Sequence, residues 1–238
     1  MVVGPKRQQK RFTVSRAALS KSSGVLKEQC EKEWGAKEAK VIKLEDVDIS
    51  VFSRYLEWLY TGEIPSEEDD DAEGRDVGNN LGDNDLSDEE FARAMRNEDS
   101  KDFDRLLPLA FFAHDYADVT FMNAVVSDMI YIVYHNIYLP SPGQVSAVYS
   151  RLPRGSPMRK VLVNQYCHCG KPSQMQDSLL DFPSEFFFEM WAATYAQGLA
   201  RKVPKPQPAW NCHYHTHNGD VPRIEGCHGG GRASAHAT

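Results

Sequence analysis

The sequence has no long hydrophobic run. Its longest candidate is MIYIVY, residues 129–134, whereas a membrane-spanning helix needs about 18 or more apolar residues. The N-terminal segment MVVGPKRQQKR has its charges after a short apolar patch, which is the wrong order for a secretory signal peptide. We therefore expect no membrane association, and a location in the cytoplasm or the nucleus.

Cysteine is scarce and shows no pairing pattern. The five cysteines are an odd number and are widely scattered, unlike the regular sets that form disulfide frameworks. Catalytic motifs are also missing, since the sequence contains neither a phosphate-binding glycine loop nor a nucleophile-elbow pattern. We expect reduced thiols and no enzyme activity, and we find no signal for nucleic-acid binding.

Negative charge is concentrated in one segment. The chain carries a formal charge of −7, but residues 67–90 hold twelve Asp or Glu and one Arg, so the remainder is positive by 4. Residues 63–100 also lack apolar periodicity, which predicts a disordered insertion. This insertion is either a solubilising loop, an electrostatic decoy for basic partners, or a phosphorylation segment around Ser66 and Ser87.

Residues 1–62 alternate between strand and helix patterns. We predict short strands in VVG, RFTVSR and KVIKL (residues 40–44), and a helix from about Ala17. A second helix is predicted between Asp48, a good N-cap, and Gly62, a good left-handed terminator. Its proposed buried face consists of Val51, Phe52, Tyr55, Leu56 and Leu59.

The rest of the chain has mainly helical patterns. Two apolar faces predict a helical hairpin, one with Leu106, Leu109, Ala110, Ala113 and Tyr116, the other with Phe121, Ala124, Val125 and Met129. Ser141-Pro142 and Ser156-Pro157 each combine an N-cap with proline at the first helical position, and each predicts a helix start. A last helix is predicted from about Ser184 to Gly198, and its aromatic density indicates that one side is buried against the two preceding helices. An extended tail follows it.

This order of elements resembles the BTB/POZ domain. The segments RFTVSRAALSKSSGVLK, with Phe12, Val14, Leu19 and Ser23, and VIKLEDVDISVFSRYLEWLYTGEI match the family's text, although Ser15 stands where histidine is usual. The block from LPSP to FPSEFF resembles the C-terminal extension of short BTB proteins of filamentous fungi. The resemblance implies an α+β BTB/POZ fold, a small sheet flanked by a helical cluster, with an α-helical C-terminal extension.

The resemblance also sets the expected domain organisation. We predict a BTB/POZ domain over residues 1–130, with its first strand truncated and the acidic insertion at about 63–100. A helical extension is expected over residues 131–200, and a Pro-, Cys- and His-rich tail over 201–238.

A protein-interaction site is suggested near Trp34. BTB adaptors of cullin-3 ubiquitin ligases present a hydrophobic residue followed two positions later by glutamate, and Trp34 is similar to that hydrophobic residue. Ala36 stands in the glutamate's place, and Glu38 comes two residues late. The resemblance therefore implies at most weak cullin-3 binding, and Trp34 can equally be a partly buried core residue.

The tail NCHYHTHNGDVPRIEGCH predicts a zinc site as an alternative. Thiolate and imidazole groups suit zinc, and alternate residues of an extended chain point the same way. The spacing matches no standard zinc finger, and a solvated tail is the competing interpretation. The candidate ligands are Cys212, His213, His215, His217 and Cys227, to which Cys167 and Cys169 can be added.

These observations favour a protein-interaction module. The first hypothesis is a scaffold or adaptor that forms a homodimer through its BTB face and recruits another protein, with a cullin as one candidate. The second is a regulatory module stabilised by zinc in the Cys/His tail. An enzyme fits the sequence poorly.

Overall fold

The computed structural model describes residues 1–15, 17–19, 24–34, 41–65, 88–136, 138–170, 179–200 and 214–216. The chain divides into two compact units, Met1–Phe121 and Met122–Thr238. The sequence placed the corresponding boundary at about residue 130. Among the described residues, no helix combines the length and the apolar character needed to cross a membrane.

The N-terminal unit contains a small mixed sheet. Strand β1 (Val2–Val3) pairs antiparallel with β2 (Lys10–Arg11) and parallel with β3 (Lys43–Leu44), so the strand order is β2-β1-β3. Strands β1 and β3 are shorter than the sequence predicted, and β2 shares only Arg11 with the predicted segment RFTVSR, so the strand prediction for residues 12–15 is wrong. Gly4 ends β1 because its φ of 103° leaves the extended region, and a Cβ there would lie 2.5 Å from the Gln8 carbonyl oxygen.

Two helices of this unit precede the acidic segment. A helical turn at residues 17–19 comes before α1 (Gly24–Trp34), where a helix from Ala17 was expected. Helix α2 (Ile49–Thr61) starts and ends as predicted: Asp48 accepts from the Ser50 N–H over 2.7 Å, and Gly62 has a φ of 83°. Its buried side chains differ from the predicted face, because Trp58 is buried whereas Val51 and Leu59 are only half-buried.

The acidic segment is shorter than expected. Helix α3 (Asp88–Asp115) already begins at Asp88, so the prediction that the disordered insertion reaches residue 100 is wrong. Phe103 is fully buried, and Asp99, one turn earlier, is also buried. The first turns of α3 therefore lead directly into a buried part of the same helix. Adding turns to an existing helix is easier than starting a new one, which explains the extension through residues of low hydrophobicity.

A short turn at residues 116–118 joins α3 to α4 (Val119–Ile130), so the two helices predicted here are both present. Ala117 has a φ of 50° at this turn. Seven of the predicted inner residues are buried: Leu106, Leu109, Ala110 and Ala113 of α3, and Phe121, Val125 and Met129 of α4. The other two, Tyr116 and Ala124, are only half-buried.

The second unit is helical. After a π-helical turn (Tyr131–His135) come α5 (Pro142–Arg151), α6 (Pro157–Cys169), a 3-10 turn (Leu179–Asp181) and α7 (Ser184–Ala200). Both predicted N-caps are present: Ser141 accepts from the Gln144 N–H and Ser156 from the Arg159 N–H. A small sheet with many helices is an α+β architecture, as the sequence predicted.

Candidate functional site

The predicted interaction residue Trp34 is the last residue of α1. Glu38, and Ala36 before it, lie outside the described residues. Beside α1 there is an open cleft of about 390 Å³, lined by Gln29 and Lys32 of the helix and by residues 41–43 of the chain entering β3. Val41 in this lining is 47% exposed. The end of α1 therefore borders a concave surface that offers both apolar and cationic groups.

One of the five predicted metal ligands, His215, lies within the described residues. Cys212, His213, His217 and Cys227 lie outside them. The Nε2 atom of His215 is 2.9 Å from the Ser127 hydroxyl oxygen. A metal bound through Nε2 would therefore have to displace Ser127. In the part of the chain that the structure describes, no three His, Cys, Asp or Glu side chains are grouped so that they can hold a metal ion.

Cys167 and Cys169 are free, half-buried thiols on α6. The Cys167 sulfur lies 3.7 Å from the Met190 carbonyl oxygen and 3.5 Å from the Thr194 hydroxyl. Cys167 therefore takes part in the packing of α6 against α7.

A buried arginine links three helices of the second unit, and the sequence did not indicate it. Arg159 of α6 lies 3.0 Å from the Glu185 carboxylate and 3.5 Å from that of Glu189, both on α7. Its guanidinium donates to the Tyr149 carbonyl oxygen of α5 over 2.8 Å and lies 4.2 Å from the centre of the Tyr149 ring. The Tyr149 hydroxyl in turn donates to Glu189 over 2.6 Å.

This network has a clear electrostatic character. Burial, followed by the hydrogen bond to Glu189, raises the pKa of the Tyr149 hydroxyl well above its ordinary value. The hydroxyl therefore stays protonated and remains a donor at neutral pH. Arg159 faces two carboxylates, and Arg154, 3.9 Å from Glu189, supplies the second positive charge that balances them, so the buried arginine has counter-charges within reach.

A second cleft opens next to this network. It has a volume of about 330 Å³, and its apolar lining includes Val163 and Phe188. Arg154 and Lys160 also line it, and the Arg154 guanidinium lies 5.5 Å from the centre of the Phe188 ring. The cleft therefore combines apolar walls with cationic groups.

Helix α7 also exposes a row of aromatic side chains, which we call the aromatic stripe: Phe188, Trp191 and Tyr195. These residues are 52%, 62% and 59% exposed. Trp191 stacks on Tyr195 with ring centres 5.6 Å apart. The sequence predicted that the aromatic residues of this helix bury one side, and Phe186 is indeed fully buried. The spacing of the stripe, three and four residues, was the signal for a second, exposed face.

Exposed aromatic patches bordered by charge are typical of surfaces that bind other proteins. The surfaces described above, two clefts and the aromatic stripe, all lie within the described residues. Surfaces of this kind are suited to binding another molecule.

Comparison with known proteins supports this interpretation. The family model of the BTB/POZ domain matches residues 2–89. Neither the curated proteins nor the solved structures contain a significant match. The N-terminal part of the chain is therefore a BTB/POZ domain, and the protein joins this domain to a helical C-terminal region. BTB/POZ domains mediate protein–protein interactions, which assigns the chain in general terms to the protein-interaction modules.

Proposed function

We propose that this protein is a BTB-type scaffold or adaptor of the cytoplasm or nucleus, which self-associates through its N-terminal unit and recruits another protein through its helical extension. The observation that carries the recruiting role is the aromatic stripe of α7, where three large side chains are each more than half exposed. Tyrosine, tryptophan and arginine are enriched among the residues that dominate binding energy at interfaces. Arg154, over the ring of Phe188, supplies the arginine.

Partner recruitment is tested by changing the stripe. Trp191→Asp is the test variant, and Leu180→Asp is its control, because Leu180 is 99% exposed and lies outside the stripe. The chain and both variants are used as bait, and captured proteins are quantified by mass spectrometry. We expect one or more proteins bound by the unmodified chain and the control to be lost with Trp191→Asp. Identical capture by all three would contradict a role of the stripe.

Self-association is supported by the small sheet. Strands β2 and β3 form its edges, and an edge strand can pair with another chain. Val41, exposed beside β3, supplies an apolar contact. Light scattering after size exclusion, over a range of concentrations, should show a dimer that Val41→Asp weakens. Tyr131→Asp is the control, since Tyr131 is 60% exposed and belongs to the second unit. A monomer at every concentration would exclude the homodimer.

Cullin-3 is a candidate partner that we expect to bind weakly. Trp34 at the end of α1 and the cleft beside that helix support an interaction there. Ala36 lacks the carboxylate that the resemblance implies, and losing one charged partner from an interface commonly weakens binding by about 2 kcal/mol or more. Ala36→Glu should therefore strengthen cullin-3 binding, and Trp34→Ala should remove it. Tight binding by the unmodified chain that Trp34→Ala leaves unchanged would place the interface elsewhere.

Zinc binding by the tail is the alternative function. It is supported by the density of suitable groups, with Cys212, Cys227 and three histidines at alternate positions. In such a module, two of His213, His215 and His217 would complete a four-ligand site that stabilises the tail.

A further inference from the structure

Three tail residues, Tyr214–Thr216, lie in a site built by α4 and α6 of the second unit. The side chain of Asn123 on α4 is fully buried and pairs with the backbone of Thr216. Its amide nitrogen donates to the Thr216 carbonyl oxygen over 2.9 Å, and its amide oxygen accepts from the Thr216 N–H over 2.9 Å. One side chain thus satisfies both backbone groups of a residue 93 positions away, as a neighbouring strand would.

The two preceding tail residues are held by their side chains. Tyr214 is buried, and its hydroxyl accepts from the Asn164 amide of α6 over 2.8 Å. The His215 ring lies 2.9 Å from the Ser127 hydroxyl oxygen. The Ser127 hydroxyl also lies within 3.1 Å of the Asn123 carbonyl oxygen, to which it can donate, so it links His215 to the backbone of α4.

We propose that Asn123, Ser127 and Asn164 form a peptide-binding site for a Tyr-His-Thr segment, which the chain fills with its own residues 214–216. We call this arrangement the tail site. Asn123 binds the backbone of Thr216 and would do so whatever side chain stood there. The contacts to Tyr214 and His215, in contrast, depend on their side chains. This division, backbone groups for affinity and side-chain pockets for specificity, is the usual logic of peptide recognition.

Occupation by the tethered tail has a measurable consequence. A tethered segment competes at an effective concentration that is commonly in the millimolar range. The same segment added as a free peptide should therefore bind the unmodified chain poorly, and should bind well once the tethered copy is weakened. This inference does not depend on the proposed adaptor function.

The test uses the full-length chain and a fluorescein-labelled peptide of residues 213–218, HYHTHN. In the double variant, Tyr214→Ala removes the hydroxyl that accepts from Asn164, and Thr216→Pro removes the N–H that donates to Asn123. The sequences of α4 and α6 are unchanged. Circular dichroism checks its folding. Fluorescence anisotropy should show at least tenfold tighter peptide binding by this variant than by the unmodified chain.

Two controls show whether the peptide occupies the tail site. Adding Asn164→Ala to the double variant should reduce binding, as should a peptide with phenylalanine in place of tyrosine. Both changes remove the same hydrogen bond, so the two together should weaken peptide binding little more than either change alone. Equal peptide affinity for the unmodified chain and the double variant, or no saturable binding by either, would overturn the proposal.

Discussion

The Tyr55 hydroxyl donates a hydrogen bond to Oδ2 of Asp118 over 2.9 Å and joins α2 to the turn before α4. The other carboxylate oxygen of Asp118 accepts from the Phe121 N–H over 3.0 Å and so caps the start of α4. Tyr55 and Asp118 are both fully buried. A polar contact between residues 63 positions apart thus lies inside an aromatic core that includes Phe112 and Phe121.

Asp118 should make the stability of the protein depend on pH. Burial raises the pKa of its carboxyl above the ordinary 3.8, although its hydrogen bonds act in the opposite direction. The folded state then holds the proton more tightly than the unfolded state, so the stabilisation from Asp118 is fully present below about pH 3.8 and is lost as the pH rises through the folded-state pKa. Urea unfolding of the chain and of Asp118→Asn, between pH 3 and 7, measures this difference.

The expected sign is specific. Relative to Asp118→Asn, the unmodified chain should lose stability as the pH rises over this interval. A difference that stays constant, or that changes in favour of the unmodified chain, would contradict the raised pKa.

Removing the Arg159 side chain should strongly destabilise the second unit. Arg159→Ala removes the buried arginine from the part-buried Glu189 carboxylate, leaves it only the exposed Arg154, and empties the space over the Tyr149 ring. Breaking a buried ion pair on one side commonly costs about 3–5 kcal/mol. Arg154→Ala is the matched control, because Arg154 is 67% exposed and lies 3.9 Å from the same glutamate. In chemical denaturation, this control should lower the free energy of unfolding by less than about 1 kcal/mol. Similar losses for both variants would refute the assigned role of Arg159.

The two serine N-caps of the second unit should each contribute to stability. Ser141→Ala and Ser156→Ala remove the side-chain acceptors of the Gln144 and Arg159 N–H groups. Loss of such a cap typically costs about 1 kcal/mol. Ser150→Ala is the control, since Ser150 is exposed inside α5, and it should change the unfolding free energy by less than about 0.5 kcal/mol. Cap variants as stable as this control would show that other groups satisfy the helix ends.

The acidic segment should be dispensable for folding. Residues 66–87 lie outside the described residues, and their sequence has no apolar periodicity that would bury a face. Replacing them with a short Gly/Ser linker keeps α3 intact, because that helix begins at Asp88. Thermal unfolding should show a midpoint within a few degrees of the unmodified chain. A large fall would mean that the segment packs against the folded protein.

Zinc binding by the tail has a direct test. A structural zinc site can supply roughly 10 kcal/mol or more of binding free energy. This exceeds the entropic cost of closing the loop between Cys212 and Cys227. Protein purified without a histidine tag should contain zinc, and Cys212→Ser with Cys227→Ser should remove it. Equal content near zero in both would leave the tail without a metal.

The sequence alone determined the local features of this fold. Asp48, Gly62, Ser141 and Ser156 end or start helices where they were predicted to do so. Such signals can be recognised in a sequence because a capping residue interacts with backbone groups only a few residues away. The BTB/POZ resemblance of the first part of the chain was readable for a similar reason, since its matching residues lie in short contiguous segments.

Tertiary structure decided which faces are buried and which distant residues meet. Periodicity gave α2 an inner face, but contact with Phe121 is what buries Trp58 in place of Leu59. Aromatic content indicated that one side of α7 is buried, but only packing against neighbouring helices decides that Phe186 is covered while the aromatic stripe stays exposed. The pairing of Asn123 with Thr216 depends on a fold that brings together residues 93 positions apart, and no local pattern encodes such a pair.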